Sequence, residues 1–496
     1  MFVKIGRLNY FRTLTIITKS STSMYINGEW LESDNTFSVT NPATGEVIGN
    51  VVDGVQGDAV LAIDAAASAF KVWSTSTAYA RAEVLLNAYA LMIERKQVLA
   101  ELMTREQGKP LKAALNEVQY AADFLRWFGE EAKRVYGETI PSARADQRFL
   151  VRYQAVGVVA AVTPWNYPIS MITRKVAPAL AAGCTIVLKP AEATPLCAIA
   201  VFEILHQAGV PAGVVNLVTA QNPVPIGKEF CTNLKVRKLT FTGSTAVGKK
   251  LAQDAAPQLK RVSMELGGHA PFIVFDDADP VHAAKGASLL KFLNTGQACI
   301  SPNRIFVQRG IVDRFIETFS QRVSNMTVGN GATPGVSIGP LVNQAAIDKV
   351  SNQVDDAIAK GATLHNGGQR LTDGDLQSGH FYAPTVLSNV TENMLIYRQE
   401  TFGPVAAIIA FDSYDEVIEM ANDTHYGLAA YVYTQNLSRA MHAFEALNFG
   451  IIGINDINPT SAAAPFGGMG ESGLGREGAR QGLAEYLETK LGGFSI

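Results

Sequence analysis

The sequence is poor in cysteine and in charge, and it has no long apolar run. Four cysteines occur in 496 residues, and none of them stands in a CxxC pair. Neither a disulfide framework nor a structural zinc site is therefore expected, and a reducing compartment is predicted. Only 18% of the residues are charged, with 42 basic against 45 acidic. Without a basic excess we expect no nucleic-acid binding, and without about 18 consecutive apolar residues we expect no membrane span.

What the chain does have is length and apolar content. It contains 496 residues, of which 47% are apolar. A single hydrophobic core stops growing near about 250–300 residues, so at least two domains are expected. The high apolar content also argues against a disordered protein and indicates large buried cores.

Residues 1–23 differ in composition from the rest of the chain. They contain basic residues and many Ser and Thr but no Asp or Glu, which is typical of an organellar transit segment. The alternative is a disordered extension, and the weak helical amphipathicity of the segment favours that interpretation. We therefore predict a cytoplasmic protein, or a mitochondrial matrix protein if residues 1–23 are a transit peptide.

Apolar strands alternate with helical segments over most of the chain. Helical spacing of apolar residues covers 58–73, 80–107 and 112–135, and an aromatic face on the third segment is expected to be core. Strand-like runs and helices then alternate in two series, the first up to about residue 267 and the second over about 270–453. This order predicts two parallel α/β sheets, which bind ligands beyond the carboxyl ends of their strands.

A glycine-containing segment, Gly243–Lys250, follows one predicted strand and opens a helix. Glycines at that place allow backbone N–H groups to approach a phosphate. The segment nearly matches the Walker A pattern, but Lys250 stands where the pattern needs Ser or Thr, and it is not GxGxxG either. A turn needed only for packing is the alternative.

Three further residues have neighbours that suggest chemistry. Cys299 ends a polar loop with no apolar period, so it is a candidate nucleophile, whereas the other three cysteines are expected to be buried. Glu265 ends an apolar strand and precedes two glycines, which makes it a candidate general base rather than a surface ion-pair residue. Asn166 stands between two prolines, which would hold its amide rigidly, as an oxyanion hole requires.

Seven segments in order resemble the aldehyde dehydrogenase superfamily over residues 24–496. They are Thr163-Pro-Trp-Asn-Tyr-Pro168, Lys189-Pro-Ala-Glu192, Phe241-Thr-Gly-Ser244, Met264-Glu-Leu-Gly-Gly268, the loop ending in Cys299, Glu400-Thr-Phe-Gly-Pro404 and Pro465-Phe-Gly-Gly468. Residues 171–175 and 270–279 are most similar to the succinate-semialdehyde dehydrogenase group.

The resemblance implies an α/β fold with two parallel-sheet domains and a small oligomerisation hairpin. The implied parts are a variant Rossmann cofactor domain at 24–137 and 157–267, a catalytic domain at 268–467, and oligomerisation elements at 138–156 and 480–496. A homodimer or homotetramer would follow.

The resemblance also assigns roles to individual residues. Cys299 would attack the aldehyde, the amide of Asn166 would hold the alkoxide, and Glu265 would activate the water that releases the acid. Lys175 and Glu477 match positions proposed to relay protons. Expected contacts to NAD, with NADP also open, are made by Thr163, Trp165, Lys189, Glu192, Gly243, Ser244, Gly248, Leu266, Glu400 and Phe402. No metal is expected.

The implied substrate is a short anionic semialdehyde such as succinate semialdehyde. The expected substrate contacts are Arg174, Leu293, Thr460 and Phe466. Leu293 stands where the semialdehyde group has Arg, so lactaldehyde, glycolaldehyde or a sulfonated aldehyde are alternatives, and Arg174 could instead pair with a protein carboxylate. Glu192 predicts a preference for NAD, because a carboxylate repels a 2′-phosphate.

Two other functions are less consistent with the sequence. An acylating dehydrogenase that uses coenzyme A commonly lacks the glutamate matched by Glu265. A catalytically silent structural or nucleotide-binding protein would need neither Cys299 nor Asn166.

Overall fold

The structure is a computed structural model that describes residues 23–496. The expected extension at residues 1–23 therefore lies outside the described residues, except for Ser23. The strands are β1 Met24–Ile26, β2 Glu29–Leu31, β3 Thr36–Thr40, β4 Val47–Val52, β5 Glu138–Ile140, β6 Gln147–Ala155, β7 Val158–Val162, β8 Thr185–Lys189, β9 Val215–Leu217, β10 Val236–Thr242, β11 Arg261–Glu265, β12 Ala270–Val274, β13 Pro302–Gln308, β14 Thr363–Asn366, β15 Thr385–Ser388, β16 Val405–Phe411, β17 Tyr426–Gly427, β18 Ala429–Tyr433, β19 Ile451–Ile454, β20 Met469–Gly470, β21 Gly473–Leu474 and β22 Leu487–Ser495.

The α-helices lie between these strands and cover both large sheets. Their bounds are Gln56–Trp73, Ala78–Glu94, Lys96–Gln107, Leu111–Glu131, Ser170–Ala182, Pro195–Gln207, Pro223–Thr232, Thr245–Ala255, Pro280–Lys291, Val312–Ser324, Gln344–Ala359, Leu395–Arg398, Tyr414–Asn422, Leu437–Ala446 and Ala479–Ala484. Within the described residues, no helix is both long enough and apolar enough to cross a bilayer.

Two large sheets with parallel cores confirm the predicted α/β class. The first has the order β2-β1-β9-β8-β7-β10-β11-β21, and its strands β7 to β11 are mutually parallel. The second has the order β14-β15-β16-β13-β12-β18-β19, with only β14 antiparallel. The first sheet also includes a strand from far along the chain, β21, which pairs with β11.

A third, smaller sheet has no fully buried residue in any of its strands. It has the order β22-β6-β5, so the C-terminal strand pairs along the hairpin of residues 138–155. Gly157 separates β6 from β7 and has a φ of +131°, a backbone conformation that glycine adopts without a side-chain clash. The chain changes from one sheet to another at this glycine.

The helical segments differ in detail from the sequence prediction. The single helix expected over 80–107 is two helices, because Arg95 has φ −97° and ψ 12°, outside helical geometry. No Gly or Pro marks this break, so apolar spacing alone did not reveal it. The aromatic face expected in the core is confirmed, with Phe124 and Phe128 fully buried and Tyr120 and Trp127 packed against the same cluster.

Every residue of the helix Ser170–Ala182 is buried. It packs mainly against the helix Leu111–Glu131. Arg174 and Lys175 lie within it although they are charged, and burying a charge is costly unless it is paired. The partners of these two cations are part of the candidate site.

Candidate active site

The carboxyl ends of four neighbouring strands bring the predicted motifs to one edge of the first sheet. In the register of the sheet, Val162 pairs with Lys189 and Thr242 pairs with Glu265. The loop that carries Asn166, the glycines after β10 and the glutamate of β11 therefore follow adjacent strands. This is the edge at which parallel α/β sheets bind ligands.

The loop before Cys299 is locally strained. Asn294 and Thr295 have φ of +49° and +60°, and for a β-branched residue such as Thr295 this is a rare conformation. The Thr295 hydroxyl accepts a hydrogen bond from the backbone N–H of Gly339 at 3.1 Å, which anchors the turn. Backbone strain of this kind is found at functional sites where the surroundings hold it in place.

The two glycines after Glu265 allow the close approach that the sequence predicted. A Cβ atom on Gly268 would lie 2.3 Å from the carbonyl oxygen of Cys299, so only glycine fits there. The N–H of Gly268 donates to Oε1 of Glu400 at 2.9 Å. Three segments therefore meet around Gly268: the strand end that carries Glu265, the cysteine loop and the Glu400 loop.

Asn166 lies against the cysteine loop. Its Nδ2 donates to the carbonyl of Gln297 at 3.0 Å, and its Oδ1 accepts from the N–H of Tyr167 at 3.1 Å. A side-chain amide carries two N–H donors, so one is left for a ligand oxygen. The geometry is compatible with the predicted oxyanion role.

Arg174 and Lys175 share one carboxylate, that of Glu477. Arg174 Nε lies 2.7 Å from Glu477 Oε2, and Lys175 Nζ lies 2.5 Å from Glu477 Oε1. The guanidinium also stacks 3.9 Å from the ring centroid of Phe466. The alternative reading of Arg174, an ion pair with a protein carboxylate, is thus observed. Its Nη2 atom, however, is buried without a hydrogen-bond partner among the described residues.

Burial and neighbouring charges shift the pKa values of the two carboxyl groups of the site, Glu265 and Glu477, in opposite directions. Burial, aided by repulsion from Glu477, raises the pKa of Glu265 well above its usual value. Burial also acts to raise the pKa of Glu477, but Lys175 and Arg174 outweigh it and the net shift is downward. Two neighbouring carboxyl groups with pKa values shifted apart in this way are typical of an acid–base site. Glu265 is the stronger base of the two.

The thiol of Cys299 is neutral at rest. Burial raises its pKa to about 12, which the positive charge of Arg174 only partly offsets. Cys299 is half-buried, whereas Cys184, Cys197 and Cys231 are fully buried, as predicted. A base that removes the thiol proton is therefore needed before sulfur can act as a nucleophile.

Three of the expected cofactor residues lie at the start of one helix. Gly243 and Ser244 precede the helix Thr245–Ala255. The Ser244 side chain accepts from the N–H of Val247, and the other N–H groups of the first turn suit a phosphate. A Cβ on Gly248 would lie 2.3 Å from Cδ2 of Leu266, so this helix packs closely on the strand end. The near-match to Walker A has no functional basis here, because Lys250 is exposed and pairs with Asp254 at 2.5 Å.

The remaining cofactor positions line the same edge. The buried Lys189 pairs with the exposed Glu192 at 3.0 Å, and the N–H of Thr163 donates to the Lys189 carbonyl at 3.2 Å. Trp165 and Phe402 meet edge to face at 5.6 Å between ring centroids. No group of three or more His, Cys, Asp or Glu side chains within residues 23–496 is arranged to hold a metal ion.

Two expected substrate positions are less enclosed. Leu293 is 40% exposed, and Thr460 is half-buried. Lys109 and Glu117 form a buried ion pair beside Asn166 that no sequence pattern predicted. A lysine between Gly108 and Pro110 was the available signal, but a single lysine in a turn is usually a surface residue.

Comparison with known proteins identifies the family. The model of the aldehyde dehydrogenase family matches residues 30–491. The chain belongs to the aldehyde dehydrogenase family. It is an oxidoreductase, and the resemblance predicted from seven motifs is confirmed.

Individual relatives of this aldehyde dehydrogenase cover nearly all of its chain. It is 51% identical to a protein from Sinorhizobium fredii named probable succinate-semialdehyde dehydrogenase [NADP(+)], over 92% of each chain. It is 49% identical to a 3-sulfolactaldehyde dehydrogenase from Pseudomonas putida, over 95% of this chain and 96% of that one. A crystal structure of an aldehyde dehydrogenase from Brucella melitensis biovar abortus 2308 has a TM-score of 0.93 and 50% identity, covering 96% of this chain and 97% of that one.

Proposed function

We propose that this aldehyde dehydrogenase oxidises a short anionic aldehyde, with succinate semialdehyde as the first candidate, to the corresponding acid. The observation that supports the proposal is a buried guanidinium whose positive charge acts on the candidate nucleophile. Arg174 is 2% exposed, acts electrostatically on Cys299, and has an Nη2 atom with no protein hydrogen-bond partner in the described chain. A guanidinium donor in a buried site favours a carboxylate or a similar anion.

Cys299 and its neighbours would carry out the covalent chemistry. A water molecule takes the thiol proton of Cys299 and passes it to the solvent. The sulfur then adds to the aldehyde carbon, and the amide of Asn166 stabilises the resulting alkoxide of the thiohemiacetal. After oxidation to the thioester, Glu265 takes a proton from a water molecule, which attacks the thioester carbon and releases the acid and the thiol. Lys175 and Glu477, hydrogen-bonded at 2.5 Å, would carry the proton away from Glu265.

NAD or NADP would supply the hydride acceptor for this oxidation. Gly243 and Ser244 would hold the pyrophosphate, with Gly248 and Leu266 shaping the helix behind it. Lys189 and Glu192 would meet the adenosine ribose. Thr163, Trp165, Glu400 and Phe402 would line the nicotinamide side.

The preference between NAD and NADP depends on the Lys189–Glu192 pair. The ion pair at 3.0 Å keeps a carboxylate beside the expected ribose, which favours NAD. The Sinorhizobium fredii relative is named for NADP, and Lys189 offers a cation to a 2′-phosphate once its pair with Glu192 opens. Both cofactors are therefore proposed, and the ratio of kcat/KM for NAD and NADP decides which is preferred.

A sulfonated aldehyde is the second candidate substrate. The similar Pseudomonas putida protein is named for 3-sulfolactaldehyde, and a sulfonate is also an anion that a guanidinium can bind. Leu293 and Thr460 supply no cation, so Arg174 alone would bind the distal anionic group of the substrate. Phe466 would stack against the guanidinium of Arg174. Lactaldehyde and glycolaldehyde, which lack the anion, are expected to be poorer substrates.

The test compares two aldehydes of equal carbon count, succinate semialdehyde and butanal. Wild-type kcat/KM should be higher for the anion by roughly tenfold or more, which is the worth of one charge-assisted hydrogen bond. Arg174→Lys, which keeps the charge for Glu477 but removes the planar fork, should narrow that ratio. Arg126→Lys on the exposed face of another helix is the matched control. Equal kcat/KM for both aldehydes in the wild type would refute selection for an anion.

The division into domains and the assembly are also part of the proposal. We assign residues 24–137 and 157–267 to cofactor binding and 268–467 to catalysis, with 138–156 and 480–496 as oligomerisation elements. We also propose a homodimer or homotetramer. The third sheet supports this, because its strands leave Leu150, Leu491 and Phe494 exposed. Cytoplasmic location is proposed, with the mitochondrial matrix as the alternative.

A further inference from the structure

Lys109 and Glu117 form a buried ion pair that none of the proposed chemical steps uses. Their side chains are 0% and 1% exposed, and Lys109 Nζ hydrogen-bonds to Glu117 Oε2. Lys109 lies in the turn after the helix Lys96–Gln107, and Glu117 lies in the helix Leu111–Glu131. A buried ion pair contributes little net stability, because desolvation offsets its attraction. Stability alone therefore does not explain the pair.

Among the described residues, the other side-chain hydrogen bonds of the pair go to the loop that carries Asn166 and to the start of the next helix. Lys109 Nζ donates to the backbone carbonyl of Asn166 at 2.8 Å and lies 4.1 Å from the ring centroid of Tyr167. Glu117 Oε1 accepts from the N–H groups of Ile169 and Ser170 at 3.0 and 3.2 Å. The pair thus holds the middle of the loop and the start of the following helix at the same time.

The turn that carries Lys109 is itself fixed against the catalytic half of the chain. A Cβ on Gly331 would lie 2.5 Å from the carbonyl of Lys109, and one on Gly339 would lie 2.3 Å from the carbonyl of Gly108. Gly339 in turn donates its N–H to Thr295, in the strained turn before Cys299. The cysteine loop, through Gly339, and the Asn166 loop, through Lys109, therefore both contact the same turn.

We propose that Lys109 and Glu117 are a positioning pair that sets the distance between the Asn166 amide and the sulfur of Cys299. The inference rests on the proposed function, since it concerns the alkoxide that forms on Cys299. Neither residue touches substrate. Both act through the backbone of the loop, because a carbonyl bound at 2.8 Å fixes the peptide from which the amide side chain projects.

The test separates steps that need the amide from steps that do not. Lys109→Met should lower kcat/KM for succinate semialdehyde by about 10–100-fold, because misplacing an oxyanion donor weakens stabilisation of the alkoxide. Alkylation of Cys299 by iodoacetamide forms no alkoxide, so its rate should change less than about twofold. The Kd for NAD should also stay unchanged. Lys112→Met, on an exposed lysine three residues along, is the matched control.

Two more conservative variants test the same proposal if Lys109→Met does not fold. Lys109→Arg preserves the charge and a donor, so it should recover part of the lost kcat/KM, and Glu117→Gln should show a smaller loss than Lys109→Met. Unchanged kcat/KM in Lys109→Met would overturn the inference, and so would an equal fall in alkylation rate and NAD affinity. A wild type that oxidises no aldehyde would instead refute the proposed function.

Discussion

Glu265 has an environment in which the charged form is disfavoured. It is 4% exposed, and its Oε2 atom has no hydrogen-bond partner among the described residues. A Cβ on Gly467 would lie 2.8 Å from its other oxygen, so glycine leaves the carboxyl group room to move. A carboxylate with few partners and a raised pKa is suited to take a proton from water.

Replacing this carboxylate should separate the two halves of the reaction. Glu265→Gln should still form the thioester on Cys299, since the nucleophile and Asn166 remain, but it should hydrolyse the thioester slowly. We expect a burst of NADH close to one equivalent per active site, followed by a steady rate at least about 100-fold below wild type. Intact-mass measurement should detect the trapped acyl group.

The control for this experiment is an exposed glutamate, Glu83→Gln, which should keep the wild-type steady rate. Normal turnover in Glu265→Gln would exclude Glu265 as the base. Loss of the burst together with the steady rate would place Glu265 before, rather than after, thioester formation.

At the scale of single residues, local sequence patterns indicated candidate chemistry but not long-range contacts. Cys299, Asn166 and Glu265 became candidates because a distinctive neighbour accompanied each, namely a polar loop, flanking prolines and paired glycines. Arg174 was placed in the site, but its ion pair with Glu477 joins residues 303 positions apart (477 − 174 = 303). No local pattern reveals such a partner.

Among the elements, the helix Pro195–Gln207 is capped by a residue from another helix. Its N-cap Thr194 makes no side-chain capping bond. Instead the carboxylate of Glu106 accepts from the N–H groups of Leu196 and Cys197 at 2.6 and 2.8 Å. Burial raises the pKa of Glu106 to about 7, although these hydrogen bonds oppose the shift.

The raised pKa of Glu106 should make the free energy of unfolding fall as the pH rises. Because the folded pKa lies above the unfolded value, the contribution of Glu106 is complete below the unfolded pKa near 4.5 and is lost as pH rises through about 7. Glu106→Gln carries no charge, so its Tm relative to wild type should rise by about 2 °C or more between pH 5 and pH 8. Thermal unfolding at both pH values measures this difference, and Glu83→Gln should show none. A pH-independent difference would contradict the assignment.

The elements themselves were largely predictable, because strand composition and helical spacing are local properties. The strand β16, at Val405–Phe411, lies within the second predicted series, which covers about 270–453. The break at Arg95 was missed because nothing in the local sequence interrupts the apolar period. The position of β21 beside β11 was missed as well, since a two-residue strand has no periodicity to detect.

For the whole molecule, the third sheet leads to a prediction about assembly. Phe494 on β22 is 50% exposed and Leu150 on β6 is 45% exposed. In the register of the sheet they lie on one face, since Gly492 pairs with Leu150. Apolar side chains exposed on a small sheet suggest an interface.

Phe494→Glu should therefore lower the oligomeric state by placing a charge in that interface. Size-exclusion chromatography with light scattering should show wild-type dimers or tetramers and a smaller species for the variant. Lys490 lies on the same strand and face as Phe494 but is already charged. The oligomeric state of Lys490→Glu should therefore be closer to that of the wild type. A monomeric wild type would contradict the proposed role of 138–156 and 480–496.

The position of Glu477 near the end of the chain has a consequence for biosynthesis. A ribosome delivers Arg174 and Lys175 some 300 residues before the carboxylate that neutralises both, since Lys175 and Glu477 are 302 positions apart. A buried cation without its partner is strongly destabilising, so the nascent helix Ser170–Ala182 cannot reach its native burial until almost the whole protein has been made. A prematurely released chain ending before Glu477 would keep this segment exposed, where proteases that remove incomplete translation products can cut it.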